Sequence, residues 1–152
     1  MPNRQGRFAL TRMVLCLAVA STLTAASKCA DLSGTYLLQG EDGQVRFSIK
    51  QHNCDRMIIV RENNYLGTIS TEKHDLMLDG REHADTPWLG GRKGGKTTAK
   101  FLGSQLRVDA KVEGDATLTM IYSLTSARDL QIEDLDSQGH DLGSPSVAAR
   151  QR

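Results

Sequence analysis

Val45, Phe47 and Ile49 alternate with Arg46, Ser48 and Lys50. Leu106, Val108, Ala110 and Val112 alternate with Arg107, Asp109 and Lys111, and Leu118, Met120, Tyr122 and Leu124 alternate with Thr117, Thr119 and Ser123. A period of two puts one set of side chains on a buried face and the other in water, the mark of an antiparallel strand covered on one side. Shorter stretches of the same kind occupy 34–39, 56–62, 66–70, 75–78, 97–102 and 129–134. Turn-forming residues separate them at Gly40-Glu41-Asp42-Gly43, Asn63-Asn64, Asp79-Gly80, Gly103-Ser104 and Glu113-Gly114-Asp115. No window places apolar residues at helical spacing. The pattern predicts an all-β chain: an antiparallel up-and-down meander of eight or nine strands, closed or partly closed as a barrel, with a β-sandwich as the alternative.

One register follows directly from the pattern. If the first hairpin turns about Glu41-Asp42, Leu38 faces Val45 and Tyr36 faces Phe47, so apolar side chains meet on one side. The same register sets Cys29 opposite Cys54, across the open end of the hairpin. A disulfide Cys29–Cys54 is therefore expected.

The leader sets the compartment in which that bond would form. Arg4, Arg7 and Arg12 precede the apolar run 13–20, and the small residues Thr24-Ala25-Ala26 follow it. This order of charge, apolar core and small residues predicts a secretory signal over 1–26, cleaved after Ala26. The apolar run is shorter than the roughly 20 residues that span a bilayer, so no transmembrane segment is expected in the mature chain. Neither Cys16 after Leu15 nor Cys29 after Lys28 has the small neighbours of a lipidation site. Cleavage removes Cys16 and leaves two cysteines, which in an oxidising compartment read as one bridge. Three arginines and no acid leave with the leader, so the formal charge moves from +1 to −2. Such a chain lacks the basic footprint that nucleic-acid binding needs. Expected domains are the signal at 1–26, one barrel-like domain at 27–136 and a flexible tail at 137–152, with a periplasmic or secreted destination.

The segment Asp31-Leu32-Ser33-Gly34-Thr35-Tyr36, opening such a meander, resembles the G-x-W start of lipocalin-like (calycin) barrels, with Tyr36 at the tryptophan position. Leu78-Asp79-Gly80, Ala99-Lys100-Phe101-Leu102-Gly103 and Tyr122-Ser123-Leu124 resemble later strands of small exported bacterial proteins of this type. The resemblance covers about residues 29–135 and implies a barrel holding a small apolar ligand. It brings no catalytic residues with it.

Gly90-Gly91-Arg92-Lys93-Gly94-Gly95-Lys96-Thr97 matches the phosphate-loop pattern G-x-x-x-x-G-K-[ST] letter for letter. The phosphate cradle, however, needs a buried strand before the glycines and a helix after them. Here 84–89 make no strand, and 97–102 alternate as one. No nucleotide is expected. The loop from Arg81 to Gly95 is of more interest: about 15 residues with four glycines and the single tryptophan, Trp88. It is either a lid over a barrel mouth or a solvated hairpin loop.

His52, His74, His83 and His140 lack metal-ligand spacing, and no cysteine remains as a ligand, so no metal or cofactor is expected. No nucleophile elbow appears, and no enzyme is expected. The leading expectation is non-enzymatic binding of a small apolar or amphipathic ligand, with Tyr36, Phe47, Trp88, Val108, Met120 and Tyr122 as lining residues. The alternative is a periplasmic or secreted module that binds another exported protein or the cell envelope, as an inhibitor or envelope-associated factor. A hollow interior favours the first, and a filled barrel with an exposed apolar patch favours the second.

Overall fold

The computed structural model describes residues 29–85, 95–111 and 117–152. Ten strands follow one another: β1 (Gly34–Gln39), β2 (Gly43–His52), β3 (Arg56–Tyr65), β4 (Thr68–Met77), β5 (Glu82–Asp85), β6 (Gly95–Leu102), β7 (Gln105–Lys111), β8 (Leu118–Leu124), β9 (Leu130–Leu135) and β10 (Ser146–Arg150). They form one antiparallel sheet in the order β4-β3-β2-β1-β10-β9-β8-β7-β6-β5. The two ends of this sheet meet where β4 packs against β5 and β6 without a hydrogen-bonded ladder. The result is a nearly closed barrel, in the all-β class that the alternation predicts.

The first hairpin has the expected register, with Tyr36 opposite Phe47 and Leu38 opposite Val45. Cys29 and Cys54 are bonded, with Cα atoms 5.8 Å apart. Around that bond the chain seals one end of the barrel. Leu32 is fully buried there. Its N–H donates to Gln51 Oε1 at 3.0 Å, while Gln51 Nε2 donates to Cys29 Sγ at 3.3 Å. The Tyr36 hydroxyl reaches back to the Leu32 carbonyl at 2.9 Å. This path takes the ring across Gly34, where an added Cβ would sit 3.1 Å from the hydroxyl. The Gly-Thr-Tyr sequence thus has a steric reason.

Three expectations need correction. Residues 137–152 are not a free tail, because Ser146–Arg150 forms β10 and pairs with β1 on one side and β9 on the other. With ladders on both edges the strand is held by its backbone, so it needs only one buried apolar side chain, Ala148, and shows little hydrophobic pattern. Asn63-Asn64 is not a turn but continues β3, and the chain reverses at Leu66-Gly67 instead. The stretches 66–70 and 75–78 are accordingly parts of one region, in which 68–77 form the single strand β4. Adding β5 and β10 brings the total to ten rather than eight or nine.

Candidate functional site

The barrel has two ends with different interiors. The sealed end lies beside the disulfide, and the other carries the Gly40–Asp42 and Leu66-Gly67 turns. Toward the sealed end the interior is a contiguous apolar cluster. Tyr36, Met57, Ile59, Leu106, Val108 and Leu130 have at most a trace of accessible surface, so not even a water molecule fits beside them. Phe47, Met120 and Tyr122 belong to the same cluster. Five of the six residues expected to line a ligand site are thus brought together, as packed core beneath any opening. Trp88, the sixth, lies outside the described residues.

Toward the other end the inner face changes character. Leu38, Val45, Asn63 and Tyr65 share one face of β1, β2 and β3. With Gln39, Gly40, Asp42, Gly43, Gln44 and Asn64 they line a cavity of about 480 Å³ at this rim. Leu38 and Val45 pack against the core below, and so form its apolar floor. Tyr65 is more than half exposed, as are Leu66 and Ile69 at the adjoining hairpin tip. Leu66 holds a positive φ of 48°, ahead of Gly67 at 80°. That geometry is normally given to Asn or Gly in a two-residue hairpin turn.

One step deeper on the same face are charged side chains. Arg61 stands opposite Phe47 on one side and Glu72 on the other, so the barrel's inner row runs Tyr36, Phe47, Arg61, Glu72. Arg61 Nη1 lies 3.9 Å from Glu72 Oε2, and His74 Nε2 lies 4.0 Å from the same oxygen. Asp134 enters from β9, opposite the buried Met120. The charges of Asp134, Arg61 and Glu72 all act on the Tyr122 phenol, whose pKa is raised chiefly by burial. Partial desolvation likewise raises the pKa of the Asp134 carboxyl from its ordinary value, although the residue is solvent-exposed, and Arg61 offsets part of that push. Arg61 Nε and Glu72 Oε2 are buried without a hydrogen-bond partner. The Arg61 and Glu72 side chains nevertheless keep 38% and 26% of their surface accessible, so the barrel is not filled at this level.

The sequence pattern missed Leu38, Val45, Asn63 and Tyr65 as a lining, and Arg61, Glu72 and Asp134 as inward residues. The stretches 61–64 and 70–73 are polar at every position, which erases the period of two. Counting by twos from Met57 and Ile59 along β3 would have found Arg61 and Asn63.

The phosphate-loop pattern falls partly outside the described residues, at 90–94. Its last three residues, Gly95-Lys96-Thr97, begin β6, where the Lys96 ammonium pairs with Glu82 at 2.7 Å. The element that follows is a strand, so no helix N-terminus faces the glycines. Among the described residues no three His, Cys, Asp or Glu side chains gather as a metal site. No described helix is long and apolar enough to cross a membrane.

No protein-family model matches the chain, and no curated protein matches it by sequence. Among solved structures, two single-residue variants of the fluorescent protein UnaG are similar. One has a TM-score of 0.60 at 16% identity, over 79% of this chain and 96% of that one. The other has a TM-score of 0.57 at 17% identity, over 78% and 94%. At that identity the likeness shows the fold alone, an antiparallel β-barrel.

Proposed function

We propose that this chain is an exported, non-enzymatic barrel that binds a small apolar or amphipathic ligand at its open end. The cavity of about 480 Å³ between Leu38, Val45, Asn63 and Tyr65 carries the reading. Its size falls within the roughly 300–1,000 Å³ of small-molecule sites, and its apolar floor with a few polar groups beyond is their usual composition. The likeness to a solved β-barrel supports it as fold analogy. Export is supported by the leader pattern and by the Cys29–Cys54 bond. The ionisable cluster does not have the makings of nucleophilic catalysis. Its one hydroxyl, on Tyr122, contacts the Met120 sulfur at 3.5 Å, and burial keeps that phenol protonated.

A second reading has one observation behind it. Tyr65, Leu66 and Ile69 form an exposed apolar tip on the β3–β4 hairpin, a surface that would suit a protein partner. Native mass spectrometry of the protein isolated from its own host separates the two. A retained small molecule, released on denaturation, is the expected result. A retained polypeptide, or neither species, would contradict the ligand reading.

A further inference from the structure

The four most exposed large apolar side chains among the described residues all lie at one end of the barrel. Leu66, Ile69 and Tyr65, at 75%, 71% and 57%, sit on the β3–β4 hairpin tip beside the cavity. Leu142, at 60%, lies in the β9–β10 connection. β9 runs in the same direction as β1, so this connection shares the mouth with the Gly40–Asp42 turn. In the sheet order that turn stands between the hairpin tip and Leu142. The exposed apolar side chains at the sealed end, Met77 and Leu102, are each less than half exposed.

Folding alone does not call for such a tip. Leu66 holds a left-handed turn position, with φ at 48°, where Asn or Gly is less strained. The tip is also held in place. The Leu66 N–H donates to the Asp42 carbonyl at 3.2 Å, which fastens the tip to the β1–β2 turn. Beside it Gly43 comes so close to β3 that an added Cβ would stand 2.2 Å from the Asn64 carbonyl oxygen. A residue that is strained, apolar, exposed and fixed points to contact with something outside the molecule.

Area and charge decide what that contact is. A stable protein–protein interface covers roughly 800 Å² on each partner with matched shapes, and three side chains at a hairpin tip fall well short of it. A lipid surface needs no matched shape, because each apolar side chain that enters the headgroup region leaves water independently of the others. The described turns at the mouth, 40–42, 66–67 and 136–145, carry Glu41, Asp42, Asp136 and Asp141 and no lysine or arginine. Anionic headgroups would repel them, whereas the outermost ammonium of a zwitterionic phospholipid complements them.

We propose that the mouth of the barrel docks on a zwitterionic lipid surface, with Leu66 and Ile69 inserted among the headgroups and Tyr65 at the same level beside the cavity. This goes beyond the small-ligand reading and does not depend on it. Where both hold, an apolar ligand would pass between the lipid and the cavity without crossing open water.

The test floats the mature, oxidised protein with vesicles of phosphatidylcholine or of phosphatidylglycerol, the apolar leader being absent so that it does not itself bind lipid. Partition into the phosphatidylcholine vesicles is expected to be several-fold the stronger. Leu66→Asn should lower it about tenfold. The same variant should melt no lower than the parent, so that loss is not unfolding. Met77→Thr, at the sealed end, should float like the parent. Val45→Trp, which fills the cavity, should also float like the parent, and this separates docking from ligand binding. No flotation with phosphatidylcholine, stronger flotation with phosphatidylglycerol, or an equal loss in Met77→Thr would overturn the proposal and leave the small-ligand reading intact. Loss in Val45→Trp would place lipid in the cavity and overturn docking by the tip. A dimer in sedimentation that Leu66→Asn abolishes would overturn it in favour of a second copy of the chain.

Discussion

The Arg150 guanidinium lies over the ring of Tyr36, 5.8 Å from its centroid, at the register position where β10 faces β1. Arg150 Nη2 also donates to the Ser33 carbonyl at 3.0 Å, and its N–H to Asp129 Oδ1 at 3.0 Å. The last strand is thereby fastened to the N-terminal plug. Arg150→Ala should cost about 1 kcal/mol, from the cation–π contact and the lost hydrogen bond. Deleting residues 146–152 should do far more, since it strips the ladder from both β1 and β9. Thermal melts followed by circular dichroism would check both, and a cooperative, near-parental melt of the truncated chain would show that β10 is dispensable.

The Cys29–Cys54 bond closes a loop with a sequence separation of 25 residues. The chain-entropy argument gives about 3 kcal/mol for a loop of this size. Replacing both cysteines by serine should lower the urea midpoint and raise the m-value, because the unfolded chain loses its crosslink and exposes more surface. A double variant as stable as the parent would mean that the plug holds by Leu32 and Gln51 alone.

Partial desolvation raises the pKa of the Asp134 carboxyl, so the folded protein holds that proton more tightly than the unfolded chain does. Between the two pKa values stability falls as pH rises, and above both the ionised group weakens the fold. Asp134→Asn should therefore raise the Tm at pH 7. The advantage should vanish below the unfolded carboxylate pKa, where the parent is neutral in both states. Asp134 is reached by solvent at the mouth, which keeps the effect modest. A variant less stable than the parent at pH 7 would show that the carboxylate is satisfied in the fold.

Leu66, three-quarters exposed, has a φ of 48° in the turn before Gly67. Asn tolerates that conformation better than a γ-branched apolar residue does. Leu66→Asn should stabilise the protein by about 0.5–1 kcal/mol, read by denaturant titration. Loss of stability would imply that the leucine side chain packs at the tip.

How far the sequence reaches depends on how strict its alternation is. Where apolar and polar residues interchange, as at Val45–Ile49, both strand and register could be read. That register carried through to the cysteine pairing. Polar runs on both sides of the β3–β4 turn hid the hairpin's length, and a leucine in a left-handed turn hid its reversal. The strand at Ser146–Arg150 was hidden because backbone pairing, not side-chain burial, holds it. Candidate lining residues chosen for their apolar character became core, since the most apolar inward positions are those that pack. The positions bordering open space are mixed, and only three-dimensional register gathers Arg61, Glu72 and Asp134.

The central claim is that the open end of the barrel holds a small molecule. It is tested most directly by titrating the oxidised protein with a neutral dye such as Nile red and repeating the titration on Val45→Trp. Val45 forms part of the cavity floor, so the indole should fill the space from the inner face of β2. A saturable, single-site emission increase that disappears in Val45→Trp, yet persists in the outward-facing control Val60→Trp, is the predicted result. No saturable binding, or the same titration in Val45→Trp as in the parent, would contradict it.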